Sequence, residues 1–303
     1  MRTAAFLLTA LLLAAAGARA DERFELPYQG EARDYFLHVP PNTGDDLLPL
    51  VIALHGASGS GPGFAGETRF AAAADKLGML VAFPDGREGG NPPRRTFNAQ
   101  ICCGDAAARQ VDDLGFVGAV IEDVALRHPV DRARVYATGM SNGGMLVYQL
   151  AAIHPDWFAA VAPVSAAIGG MTRAGKTYII PMPAMPVPVM IIHGNKDLYV
   201  PYAGGSSPVL KFPNIWKMSV DDALTFWVAS DGCAGKPAIA YAAGKTLKRE
   251  AYAGCKDGSE VVLWEIMGGD HNWPGDIFPT PGGGKPVSAA EVILTFFAAH
   301  RRP

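Results

Sequence analysis

Residues 139–143 read Gly139-Met140-Ser141-Asn142-Gly143. An apolar run that suits a strand (135–138) precedes them, and a helical pattern (142–153) follows. A Gly-x-Ser-x-Gly segment between a strand and a helix is the signature of a nucleophile elbow. The turn crowds two backbones together, so the flanking positions need glycine. The serine hydroxyl is then held out at the edge of a sheet. No other serine of the chain stands in this pattern.

The segments around the elbow alternate between the two periods. Strands are predicted over 35–39, 50–54, 79–83, 158–164, 187–192 and 261–266, several of them continuous apolar runs of the kind buried on both faces. Helices are predicted over 64–77, from Asp112 or Asp113 to about 126, and over 221–230 and 289–300. Strands separated by helices imply an α/β fold with a mostly parallel sheet covered on both faces. Residues 86–111 read as a long Gly-, Pro- and Arg-rich loop. The Met- and Pro-rich stretch 171–188 reads as an inserted loop over the carboxyl edge of the sheet, where open α/β sheets bind ligands.

A serine hydroxyl needs a base, and in an elbow fold an acid and then a histidine follow it in chain order. Four histidines follow Ser141: His154, His193, His271 and His300. His271 lies in Gly268-Gly269-Asp270-His271-Asn272-Trp273-Pro274-Gly275, directly after the last buried strand, and is the expected base. Asp197, in His193-Gly194-Asn195-Lys196-Asp197, is the expected acid, with Asp270 as its rival. The oxyanion is expected to be held by two backbone amides. These are Asn142, which follows the nucleophile, and Ala57 in Leu54-His55-Gly56-Ala57-Ser58-Gly59. No lysine follows that loop in P-loop spacing, which argues against nucleotide binding.

The amino terminus reads as a signal peptide over residues 1–20: Arg2, an apolar run over 4–16, and Ala18-Arg19-Ala20 as a cleavage site. The run is too short to span a bilayer. A single catalytic domain over 21–303 is expected, secreted or periplasmic, with no membrane span after removal of the signal. Apolar residues make up 49% of the 303, which excludes general disorder, and the net charge of −3 excludes a broad basic nucleic-acid footprint. Export favours disulfides. Cys233 and Cys255 are predicted to pair; adjacent Cys102 and Cys103 are either bonded to each other or buried thiols. No Cys/His spacing suggests a metal.

Further stretches complete a pattern: Cys102-Cys103-Gly104, Val111-Asp112-Asp113-Leu114-Gly115-Phe116, Val200-Pro201-Tyr202-Ala203-Gly204-Gly205, Asp231-Gly232-Cys233 and Gly254-Cys255. With the segments above, in this order over nearly the whole chain after residue 20, they resemble the α/β-hydrolase esterases of carbohydrate esterase family 1. That family includes feruloyl esterases and polyhydroxybutyrate depolymerase-like proteins. The resemblance implies an α/β-hydrolase fold, Ser141 as nucleophile, Asp197 as acid, His271 as base and a Cys233–Cys255 bridge. Two features depart from it: Phe97-Asn98 stands where the family often has Trp-Asn, and 171–188 is unusually rich in Met and Pro. Phe97 is therefore a candidate for the substrate pocket. Trp273 either lines that pocket or packs beside Pro274, and Asp112 and Asp113 are read as structural.

The sequence thus leads to a serine esterase that needs no cofactor. Its expected substrates are feruloyl or other hydroxycinnamoyl esters, or 3-hydroxybutyrate esters. No binding module or linker follows the closing helix in this sequence, so soluble esters or oligomers are expected. An acyltransferase, and less favourably a non-catalytic binding protein, are the alternatives. A histidine base implies activity that falls below a pH near ~6.5.

Overall fold

The computed structural model describes residues 21–303 except 42–43, 45, 173, 211–214 and 281–284. The signal-peptide reading over 1–20 lies outside the described residues. The main sheet has ten strands. They are β1 (Glu22–Tyr28), β2 (Glu31–His38), β3 (Leu48–Leu54), β4 (Leu80–Pro84), β5 (Val130–Met140), β6 (Ala160–Val164), β7 (Val189–Gly194), β8 (Ala238–Ala242), β9 (Leu247–Tyr252) and β10 (Val261–Ile266). Their order across the sheet is β1-β2-β4-β3-β5-β6-β7-β10-β9-β8. The central six are parallel, and an antiparallel pair closes each edge.

Among the described residues the seven α-helices are α1 (Gly61–Thr68), α2 (Phe70–Asp75), α3 (Gly104–Ala108), α4 (Asp113–Arg127), α5 (Asn142–Ile153), α6 (Val220–Ser230) and α7 (Ala289–Ala298). Alternation along β3 divides the core. Leu50, Ile52 and Leu54 pack with Phe116 and Val120 of α4 and Leu146 and Leu150 of α5. Val51 and Ala53 pack with Phe64, Phe70 and, on α7, Ile293 and Phe297. Burial on both faces is why these strands read as unbroken apolar runs.

Several predicted boundaries change. The helix expected over 64–77 is two helices, because Arg69 between them adopts a left-handed conformation (φ 56°). The loop expected over 86–111 contains a hairpin, Arg87–Gly89 with Arg94–Thr96, and then α3. The helix at 113 is capped by Asp112, whose carboxylate accepts the Gly115 amide at 2.9 Å. Asp113 is buried and pairs with Arg33 at 2.7 Å.

The stretch 171–188 is not simply a loop. Gly169–Thr172 and Thr177–Ile179 join Gly205–Ser206 and Ile215–Lys217 in a separate four-stranded antiparallel sheet. It follows the carboxyl ends of β6 and β7 and forms a roof beside the elbow. Cys233 and Cys255 form a disulfide, as do Cys102 and Cys103.

Candidate active site

Four strand ends converge on one place: β5 ends at Ser141, and the turns after β3, β7 and β10 supply Ala57, Asp197 and His271. Ser141 has φ 54° and ψ −116°, a backbone state that costs a non-glycine residue about 1–3 kcal/mol. The surrounding contacts leave the chain no alternative. A Cβ on Gly143 would press into the carbonyl oxygens of Leu54 and His55, and one on Gly139 would lie 2.8 Å from the Gly143 carbonyl carbon. The Ser141 amide is held by the Val164 carbonyl at 2.9 Å. Residues 142–152 of the following helix are all buried, so the elbow stands on a fixed base.

The Ser141 hydroxyl lies 3.0 Å from His271 Nε2. His271 Nδ1 lies 2.7 Å from Asp197 Oδ2. Asp197 is 3% exposed, and its other oxygen, Oδ1, accepts the amides of Tyr199 and Val200, both at 2.8 Å. Burial alone would raise the pKa of this carboxyl. Hydrogen bonds from His193 and His271, the charge of His271 and the Val200 amide outweigh that and hold it far below the usual carboxylate range.

The loops that carry Asp197 and His271 are fastened to each other. The Lys196 amide donates to the Gly269 carbonyl at 2.8 Å, and the Asn195 side chain bonds both Glu265 (3.0 Å) and the Gly268 amide (2.8 Å). A Cβ on Gly194 would collide with the Gly269 backbone. The glycines beside Asp197 and His271 therefore serve the close approach of two backbones. Asp270 is exposed and bonds Asn272 instead. His154 stacks on Trp157, and His300 bonds the Phe296 carbonyl.

Two side chains that sequence reasoning left without a role order the backbone around Ala57 and Asn142. His55 is buried; its Nδ1 donates to the Gly56 carbonyl at 2.7 Å, and its Nε2 accepts the Gly86 amide at 2.9 Å. Burial lowers its pKa, against weaker opposing effects of the Gly56 hydrogen bond and Asp85. The bond from Nδ1 fixes the plane of the Gly56–Ala57 peptide, whose N–H belongs to Ala57. The neighbouring amides are engaged, Ser58 by the Arg95 carbonyl at 2.8 Å and Gly59 by the Gly56 carbonyl at 3.0 Å. The Asn142 side chain bonds the Phe97 backbone twice, at 2.7 and 2.9 Å. Both roles depend on partners about 30 to 45 positions away, which no local pattern reveals.

A cleft of about 450 Å³ opens at this point, lined by residues 55–60, Phe64, Glu67, Arg95, Met140, Ser141 and His271. A larger hollow, of about 720 Å³, shares no residue with it and contains no serine or cysteine. Neither aromatic pocket candidate lines the cleft. Phe97 is wholly buried under the His55 ring, 4.7 Å between centroids. Trp273 sits behind Phe64, 5.2 Å away and edge-on. Tyr199 instead stacks on His271 at 5.1 Å and stays half exposed. Among the described residues, no group of His, Cys, Asp and Glu is arranged to hold a metal.

A hydroxyl beside an imidazole whose far nitrogen is held by a buried carboxylate can attack a carbonyl and shuttle the proton. Comparison with known proteins leads to ester hydrolysis. The family model described as esterase PHB depolymerase matches residues 33–186. A putative esterase, NocK, from Nocardia uniformis subsp. tsuyamanensis is 31% identical over 84% of this chain and 74% of its own. Feruloyl esterase B of Piromyces equi is 33% identical over 76% of this chain, and the match spans 40% of that enzyme. Poly(3-hydroxyalkanoate) depolymerase C of Paucimonas lemoignei is 27% identical over 59% of this chain and 47% of its own. The acetyl xylan esterase from Aspergillus awamori superposes with a TM-score of 0.61 at 14% identity, over 91% of this chain and 99% of that one, a likeness of fold.

Proposed function

The chain belongs to the esterase PHB depolymerase family and has the α/β-hydrolase fold, and on that premise we propose that Ser141, His271 and Asp197 carry its ester hydrolysis. The observation behind this reading is His271 itself, 3.0 Å from the Ser141 hydroxyl and 2.7 Å from Asp197.

In this reading Ser141 Oγ attacks the ester carbonyl while His271 Nε2 takes its proton. The Asn142 and Ala57 amides hold the oxyanion, and the amino end of α5 adds its positive dipole. The intermediate collapses, and His271 protonates the departing alcohol. Water, activated by the same imidazole, then releases the acid. Asp197 keeps the imidazole in the tautomer with hydrogen on Nδ1 and stabilises the imidazolium. The acyl groups are hydroxycinnamoyl or 3-hydroxybutyryl; similar proteins include one named a feruloyl esterase and one named a poly(3-hydroxyalkanoate) depolymerase. Residues 1–20 act as an export signal. Among the described residues no helix is long and apolar enough to cross a membrane.

The test sets methyl ferulate beside a 3-hydroxybutyrate trimer, with Ser141→Ala as control. Faster cleavage of ferulate points to hydroxycinnamoyl esters, and faster cleavage of the trimer to 3-hydroxybutyrate esters. Equal rates for wild type and Ser141→Ala on every ester would overturn the mechanism. If wild type alone cleaves p-nitrophenyl acetate but neither test ester, the mechanism stands and the substrate reading fails.

A further inference from the structure

Asp197 touches two histidines, and only one of them reaches the serine. His193, next to last in β7, is 1% exposed. Its Nε2 lies 2.8 Å from the Val200 carbonyl oxygen and 3.3 Å from Asp197 Oδ2, the same oxygen that meets His271. Both neighbours are acceptors, so the hydrogen belongs on Nε2, an assignment made from the bonding partners. His193 Nδ1 is buried and has no partner among the described residues. A second hydrogen there would be an unmade donor, which costs stability. His193 is thus built as an N–H donor shared between two oxygens.

We propose that His193 is a positioning residue for Asp197: it holds the turn that carries the carboxylate and moderates the negative charge that His271 feels. The holding follows from connectivity. Both backbone groups of Val200 are tied, its amide to Asp197 Oδ1 and its carbonyl to His193. Without the ring, the Val200 carbonyl loses this donor, and the turn 197–200 is left with its internal bonds, the Ser207 hydroxyl on the Leu198 carbonyl and the contact of Asp197 with His271. The moderating effect follows from charge. An N–H aimed at Oδ2 offsets part of the carboxylate's charge, so the imidazolium of His271 is bound less tightly and returns its proton more readily.

The other groups facing this cluster do not replace that contact. Lys217 is buried and attracts Asp197 only through space. Tyr202 meets the His193 ring edge-on at 5.9 Å. Glu265, opposite His193 on β10, is engaged by Asn195 and Lys248. His193 neither touches Ser141 nor transfers a proton in this account, and it lies outside the machinery that contacts substrate.

The inference rests on the proposed roles of Asp197 and His271. The experiment measures kcat and KM for p-nitrophenyl acetate across pH for the full chain carrying His193→Leu, His193→Gln or His193→Asn. Gln offers an N–H near the position of Nε2; Asn is too short to do so. For His193→Leu and His193→Asn, kcat falls ~10-fold with KM nearly unchanged. The acid limb of the profile moves up by ~0.5 pH unit, because a less compensated carboxylate favours the protonated base. His193→Gln restores kcat to within ~3-fold and returns the limb to its wild-type place. Equal losses in all three variants with an unmoved limb would show a packing role and overturn the proposal, as would a Leu variant with wild-type kcat. If Leu fails to fold, the Asn and Gln pair decides the question alone. Failure of the underlying mechanism is seen separately: Asp197→Asn would then retain wild-type activity before any His193 variant is considered.

Discussion

The floor of the cleft and the roof beside the elbow are made on opposite principles. In the floor, backbone meets backbone. Gly139, Gly143 and Gly194 stand where a Cβ would enter a neighbouring main chain, and the helix behind Ser141 is buried along its first eleven residues. The roof, the described residues of 169–187 and 198–219, leaves apolar side chains in solvent. Nine of the fifteen large exposed hydrophobic residues among those described lie between 171 and 216, including Met171, Ile179, Tyr199 and Trp216. Trp216 is directly opposite Met171 across the small sheet, so both stand on its outer face. The contrast separates two tasks. The floor holds Ser141 against strain, and the roof presents apolar surface beside His271.

The sharpest way to break this division is Gly143→Ala. A methyl group there meets the Leu54 and His55 carbonyls, so a loss of about 4 kcal/mol or more is expected, read as poor soluble yield or a much lower Tm. A variant with wild-type Tm would show that the floor yields after all. Ser141→Gly has the opposite signature. Turnover of p-nitrophenyl acetate drops by ~10³-fold or more, while thermal melting shows a gain of roughly 1 kcal/mol as the strained φ is relieved.

Asn142→Ala comes next. It removes both side-chain bonds to Phe97 and leaves the buried Phe97 amide without its acceptor, so a loss of ~1–3 kcal/mol is expected, with turnover falling ~10-fold as the elbow loosens. Measuring Tm and kcat on one preparation checks both.

Legibility in the sequence follows the same division. The elbow was readable because its sterics lie within five consecutive residues. Asp197 and His271 were readable as candidates because each follows a buried apolar run. The partners of His55 and Asn142 were not, since a ring or an amide shows no partner 30 to 45 positions away. Phe97 and Trp273 misled because an aromatic residue among Gly and Pro looks the same whether it lines a cleft or supports one; here both lie one layer back. The edge strands β1, β8 and β9 escaped for another reason: half-exposed strands lack the continuous apolar run that marks the central six.

Away from the cleft, Asp231 gives a smaller, pH-dependent test. Burial raises its pKa to about 6, against partial relief from Ser259 and the Val187 amide. The unfolded chain, with its carboxyl near 3.8, gives up the proton sooner, so Asp231 lowers stability as pH rises from about 4 to 6. Asp231→Asn is therefore expected to raise Tm by a few degrees at pH 8 relative to wild type and to do little at pH 4. Equal effects at both pH values would contradict this sign. The smallest effect belongs to the roof. Trp216→Ser should leave Tm and the turnover of p-nitrophenyl acetate within ~1 kcal/mol of wild type, because the ring packs against solvent. A large loss would show that the roof carries the fold.

The most direct test of the central claim is covalent capture of the nucleophile. The protein is treated with a fluorophosphonate at pH 8, digested, and mapped by mass spectrometry. The account predicts one adduct, on Ser141, formed fast in the wild type, far more slowly in His271→Ala and absent in Ser141→Ala. An adduct on another residue, or equal labelling of wild type and His271→Ala, would contradict it.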